Sequence, residues 1–136
     1  MLTTKCINPD IMAALALLGH GDQILIADGN YPLASETGED CDLVYLGLCP
    51  GVPEVTKVLE TLLSVINVEA AAVMDPETGD EPEIFGEFRK LLPGIELKKV
   101  ARWDFYKTAS DKKVCLAIST GEKRTFANIL LTVGCA

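Results

Sequence analysis

Apolar residues recur at Val55, Val58, Leu59, Leu62, Leu63 and Ile66, the spacing of one buried helical face, with Glu54, Lys57 and Glu60 off it. Upstream, Ile11, Leu15 and Leu18 mark a second stripe. Asn8 is placed to cap that helix and Pro9 to open it, where a missing N–H costs nothing. Gly19 is placed to end it in the left-handed conformation. A third helix is predicted over 81–92 on Phe85, Phe88 and Leu92, and a short fourth over 102–110. Runs too short and too apolar for helices predict strands over 23–27, 42–48, 68–74, 95–100, 114–119 and 128–133. Polar stretches over 29–41 and 75–80 read as loops, and Pro50-Gly51-Val52-Pro53 as a break before the second helix. Strands that alternate with helices, several apolar throughout, predict a layered α/β fold with a central, largely buried sheet flanked by helices. No repeat, linker or low-complexity segment divides residues 1–136, so one domain is expected.

Composition narrows the partners. A net charge of -8 with scattered Lys and Arg argues against nucleic acid, whose phosphates need clustered cations. No apolar run approaches the roughly 20 residues that cross a bilayer, and the N-terminus lacks the basic start and apolar core of a signal peptide. Neither a membrane partner nor a secretory leader is expected. The hydrophobic fraction of 49% is high for 136 residues and predicts apolar surface for contacts between copies, hence a homo-oligomer. The five cysteines (Cys6, Cys41, Cys49, Cys115, Cys135) form no C-x-x-C pair and read as reduced thiols of a cytoplasmic protein, Cys115 within the core.

Most familiar chemistries lack their parts. Gly19-His20-Gly21 follows a helix instead of preceding one, so it is no dinucleotide loop. A phosphate-binding loop, a G-x-S-x-G elbow and a second histidine are all absent from the sequence. No metal or cofactor is called for. What remains is proton transfer on a small molecule by His20, the only histidine, in Leu18-Gly19-His20-Gly21-Asp22, with Asp28 beyond the next strand. Each also has a structural reading: His20 as a cap on the carbonyl end of a helix, Asp28 as a turn-former, Arg102 as a solvated charge, Asn128 as a satisfied strand-end amide. Trp103, Phe105 and Tyr106 read as core.

Five segments in order resemble the RbsD/FucU family of sugar mutarotases, which includes D-ribose pyranase and L-fucose mutarotase. They are Leu18-Gly19-His20-Gly21-Asp22 with Asp28 and Pro32; Gly51-Val52-Pro53 and Val68-Glu69-Ala70-Ala71; Arg102-Trp103-Asp104-Phe105-Tyr106; Thr120-Gly121-Glu122; and Ala127-Asn128-Ile129-Leu130-Leu131 with Gly134. The resemblance implies a catalytic His20, substrate binding by Asp28 and Arg102, and a sugar-contacting segment at Phe126-Ala127-Asn128. It also implies sites at subunit contacts, with the C-terminal strand near a neighbour's His20. Phe126 stands where the family usually has tyrosine, and Trp103 where phenylalanine is more usual.

The implied reaction needs no cofactor. Opening a cyclic hemiacetal takes one group to protonate the ring oxygen and another to take the anomeric hydroxyl's proton; reclosure on the other carbonyl face exchanges the anomers. An imidazole with a free pKa of about 6.5 holds or releases that proton at neutral pH. Arg102 and Asn128 suit hydrogen bonding to neighbouring hydroxyls. L-Fucose is the first expectation for the sugar, from the Arg102 segment. D-Ribose or another aldose is the second, and a non-catalytic, sugar-binding regulatory oligomer is the third.

Overall fold

The computed structural model describes residues 1–136 as ten elements. In chain order they are α1 (Pro9–Leu17), β1 (Gln23–Ala27), β2 (Asp42–Tyr45), α2 (Val55–Leu62), β3 (Val68–Asp75), α3 (Glu83–Leu91), β4 (Leu97–Ala101), α4 (Arg102–Ala109), β5 (Val114–Ser119) and β6 (Ile129–Val133). The strands form one sheet in the order β2-β5-β1-β6-β3-β4. All neighbours pair parallel except β6, which runs antiparallel to both β1 and β3. The carboxyl ends of five strands therefore share a sheet edge with the amino end of β6.

The central strands are apolar throughout because both faces are covered. Side chains alternate across the sheet, so Ile24 and Ile26 of β1 join Leu116, Ile118, Ile129 and Leu131 against Leu59, Leu62, Phe85 and Phe88. Leu25 and Ala27 face the other way, with Ala117 and Leu130, against Tyr31, Leu33, Phe105 and Tyr106. No helix is long and apolar enough to cross a membrane.

Several boundaries differ from expectation for local reasons. The Asn8 cap forms as predicted, its Oδ1 accepting from the Ile11 N–H at 3.0 Å. The chain leaves α1 with Leu18 extended, however, and Gly21 (φ +90°), not Gly19, takes the left-handed conformation in the following turn. α2 stops at Leu62 because Thr61 and Ser64 turn their hydroxyls onto nearby carbonyls; Ile66 still packs on the core from the turn. β2 ends at Tyr45: after a last bond from the Leu46 N–H to Ser119 O the chain turns back on itself, the Leu48 N–H bonding to Val52 O, and Leu48 is left exposed. α3 starts at Glu83 because Pro82 excludes helical geometry at Glu81. Cys115 is half-buried, carried out of the core by a register shift between Gln23 and Ile24; Cys6 is the buried thiol. Trp103 is exposed, against expectation, because α4 turns Phe105 and Tyr106 inward and leaves position 103 outside.

Candidate functional site

Asp28 leaves the carboxyl end of β1 into a tight turn and is only 3% exposed. Its Oδ1 accepts from the Asn30 N–H at 2.9 Å, the turn-forming role. Its Oδ2 accepts from the Ala127 N–H at 3.2 Å, and its own N–H donates to Asn128 Oδ1 at 2.8 Å. The turn-former and the site residue are thus the same group. Burial pushes the Asp28 carboxyl above its ordinary value, opposed by hydrogen bonds from Asn30 and Ala127. An ionised carboxylate has about four acceptor sites, so lone pairs remain after two backbone donors. With its oxygen committed to the Asp28 N–H, Asn128 has its NH₂ group beside the Asp28 carboxyl and lines the same cavity.

That cavity, about 150 Å³, sits at the edge where the carboxyl ends of β1, β3 and β4 meet the amino end of β6. Ligands of open α/β sheets commonly occupy this edge. Met74 arrives from the end of β3 and Arg102 from the start of α4. The Arg102 Nε donates to Tyr106 Oη at 3.3 Å, and its guanidinium lies over the Trp103 and Tyr106 rings, 5.1 and 5.7 Å from their centroids. Arg102 is therefore exposed yet held in place. Phe126 holds the uncommon left-handed backbone (φ +57°) and turns its ring onto the cavity wall. Ala127 contributes its backbone N–H to Asp28 and does not line the space. The carboxylate of Asp28, the guanidinium of Arg102 and the amides of Asn30 and Asn128 thus share one cavity with the apolar Met74 and Phe126.

His20 is not in this cavity. Its turn lies beyond the amino end of β1, pinned by Gly21 N–H to Val133 O and Val133 N–H to Asp22 O, both at 2.9 Å. It does not cap α1: its side-chain partner is Glu69, with Nε2 2.8 Å from Oε2 and the two side chains 57% and 46% exposed. His20 opens onto a broad cleft of about 550 Å³ shared with Ser64, Asn67 and Val133 to Ala136. Within one chain, Asp28, Arg102, Phe126 and Asn128 gather at one sheet edge and His20 stands at the other.

The sequence reading missed five cavity residues (Asn30, Tyr31, Met74, Tyr106 and Thr125) and the Glu69 partner of His20. An acidic residue near the start of an apolar strand was the available signal for Glu69. For Tyr31 it was an aromatic directly after the Asp-Gly-Asn turn.

A family model described as the RbsD / FucU transport protein family matches residues 1–136. The chain belongs to this family. Its relatives are named as sugar mutarotases and pyranases. Mouse fucose mutarotase is 31% identical, with 96% of this chain and 90% of that protein covered. The fold agrees equally well. The structure of Bacillus subtilis RbsD complexed with D-ribose superposes with a TM-score of 0.86 at 25% identity, covering 100% of this chain and 99% of that one. Streptococcus pneumoniae fucose mutarotase in complex with L-fucose gives 0.84 at 30% identity, with the same coverage. The layered α/β architecture and the family read from the five segments both hold.

Proposed function

We propose that this chain is an aldose mutarotase that binds its sugar at the Asp28, Arg102 and Asn128 cavity and moves protons with the His20 of a neighbouring copy. The carrying observation is the buried Asp28 carboxylate, oriented by two backbone N–H groups, with Arg102 and Asn128 aimed into the same small space. That donor and acceptor set suits adjacent sugar hydroxyls. Met74 and Phe126 add apolar surface to the same cavity, which suits a deoxy methyl group and favours L-fucose over D-ribose.

His20 supplies the general acid–base group, and Glu69 orients its ring through the 2.8 Å contact. The sugar, held by Asp28, Arg102 and Asn128, receives a proton at its ring oxygen and gives one up at its anomeric hydroxyl. Bond rotation in the open chain and reclosure then deliver the other anomer, with no net redox change and no metal. Because His20 and Asp28 occupy opposite sheet edges, the working site needs a homo-oligomer in which one copy's β1 entry turn meets another's cavity.

The test is NMR anomer exchange on fucose, ribose, galactose and arabinose, with and without EDTA. Exchange that is fastest on fucose and indifferent to EDTA is expected. Loss restored by a divalent ion refutes the metal-free mechanism, and tight sugar binding without exchange selects the regulatory reading, which the missing hydroxyl at Phe126 favours.

A further inference from the structure

The cavity wall formed by Thr125, Phe126 and Asn128 has an unusual support. No backbone N–H of residues 123–127 makes a hydrogen bond of good geometry to another backbone group, and Thr125 and Phe126 form only a turn. The segment is held at two points by side-chain carboxylates: the Arg124 N–H donates to Glu122 Oε1 at 3.1 Å, and the Ala127 N–H donates to Asp28 Oδ2 at 3.2 Å. Between these anchors Phe126 must keep a left-handed backbone.

Glu122 is itself 3% exposed and fully engaged. Its Oε1 also accepts from Arg124 Nε at 3.0 Å, and its Oε2 accepts from Arg124 Nη2 at 3.0 Å and from the Val55 N–H at the start of α2. Arg124 Nη1 in turn donates to Glu87 on α3. Through its backbone the same residue reaches the other side of the cavity, since Glu122 O accepts from the Gly29 N–H at 2.9 Å, directly after Asp28. Thr120 completes the join, its Oγ1 donating to Ala27 O at 2.8 Å and accepting from the Glu122 N–H. A side chain at Gly121 would collide with the backbone of Cys49 and Val52, so the chain entering this strap runs directly against that loop.

We infer that Glu122 and Arg124 are positioning residues for the sugar. Their bidentate pair, braced on Glu87, fixes the path of 123–127 and thereby the placement of Phe126, Asn128 and the Ala127 N–H against Asp28. The inference rests on the reading of this cavity as the sugar site. Neither residue lines the cavity. Their effect reaches the sugar through backbone geometry, and a guanidinium fork is the part that lysine or an amide cannot reproduce.

The test is Arg124→Gln, read in two independent ways. Without any sugar, amide exchange at Ala127 is expected to speed up at least about tenfold relative to Leu130 in β6, since local opening is set by local contacts. With the sugar that the wild type turns over, KM is expected to rise about five- to tenfold while kcat changes less than about twofold, the pattern of lost uniform binding. Arg124→Lys should recover part of both. A lower Tm with unchanged KM and an unchanged Ala127 to Leu130 ratio overturns the inference and leaves a merely structural ion pair. If Arg124→Gln does not fold, Glu87→Gln, which removes only the outer brace, carries the same two readouts. Absence of turnover by the wild type on every sugar refutes the cavity reading alone, and the Ala127 exchange still decides the clamp.

Discussion

Two inactive variants of this protein should restore each other when made in the same cell. β1 separates the two halves of the proposed machinery: from Gln23 to Asp28 the extended chain covers roughly 16 Å, and His20 lies further out still. A general base must come within about 2.6–3.2 Å of the proton it takes, so one chain's His20 cannot serve a sugar at its own Asp28. His20→Ala is expected to cut exchange at least about a hundredfold without unfolding the chain. Asp28→Asn removes a charged acceptor worth about 1.5–3 kcal/mol, or roughly ten- to 150-fold. In the proposed shared arrangement, each site draws one end from each of two copies. An equal mixture then leaves about one site in four with both groups intact, as expected for a heterologous contact repeated around a closed ring. Co-expressed with distinguishable tags and purified through both, the pair should recover about a quarter of wild-type exchange by NMR, well above either parent. Mixed oligomers, verified by mass spectrometry, that exchange no faster than the mean of the two parents would refute the shared site. An active monomer by light scattering would do the same.

Phe126→Tyr adds a hydroxyl on the cavity wall and should re-rank the sugars by about two- to tenfold in relative kcat/KM, the worth of one neutral hydrogen bond, while His20 stays essential; equal scaling of all sugars would mean that position 126 does not read the substrate. Asn128→Ala strands the buried Asp28 N–H and should cost about 1–3 kcal/mol in urea denaturation; a smaller loss would show that water replaces the amide oxygen. Acid sensitivity should trace to Glu122. Burial would raise its carboxyl, but hydrogen bonds from Arg124 outweigh that and hold it below the usual 4.5, so the stability it confers is present above 4.5 and lost as pH falls through the lower folded value. Asp28, raised from 3.8 by burial, has the opposite sign and gains stability on protonation. Glu122→Gln should therefore be less stable than the wild type at pH 7, with the gap closing in acid. A gap independent of pH contradicts the assignment.

Legibility in the sequence followed the range of the interaction. β1 and β5 appear over the residues predicted, because turn residues bound each run and both faces of each strand are covered. The Asn8 cap is a contact across three residues and was legible for that reason. Helix and strand ends that depend on a neighbour were not: β2 gives way to the turn between Leu48 and Val52, and Cys115 leaves the core as the unpaired residue where β5 slips against β1. The reversal of β6 between β1 and β3 is a tertiary choice on which the apolar pattern of β6 is silent. Asp28 and Asn128 were named through the family resemblance, and their hydrogen bond spans 100 positions that no local pattern encodes. The distance of His20 from them is likewise a property of the folded strand, not of the motif.

Five residues of β6 physically join the two edges of the sheet. The same short strand presents Phe126 and Asn128 at its entry and clasps the His20 turn through Val133 at its exit. Inserting one residue there would invert every following side chain, and would also pull one of those ends out of place. Added length should therefore be tolerated only where no such tether runs. The Asp75 to Asp80 connection, exposed over Glu77 to Asp80 and already using left-handed backbone at Glu77 and Gly79, is the natural place for an inserted tag or loop.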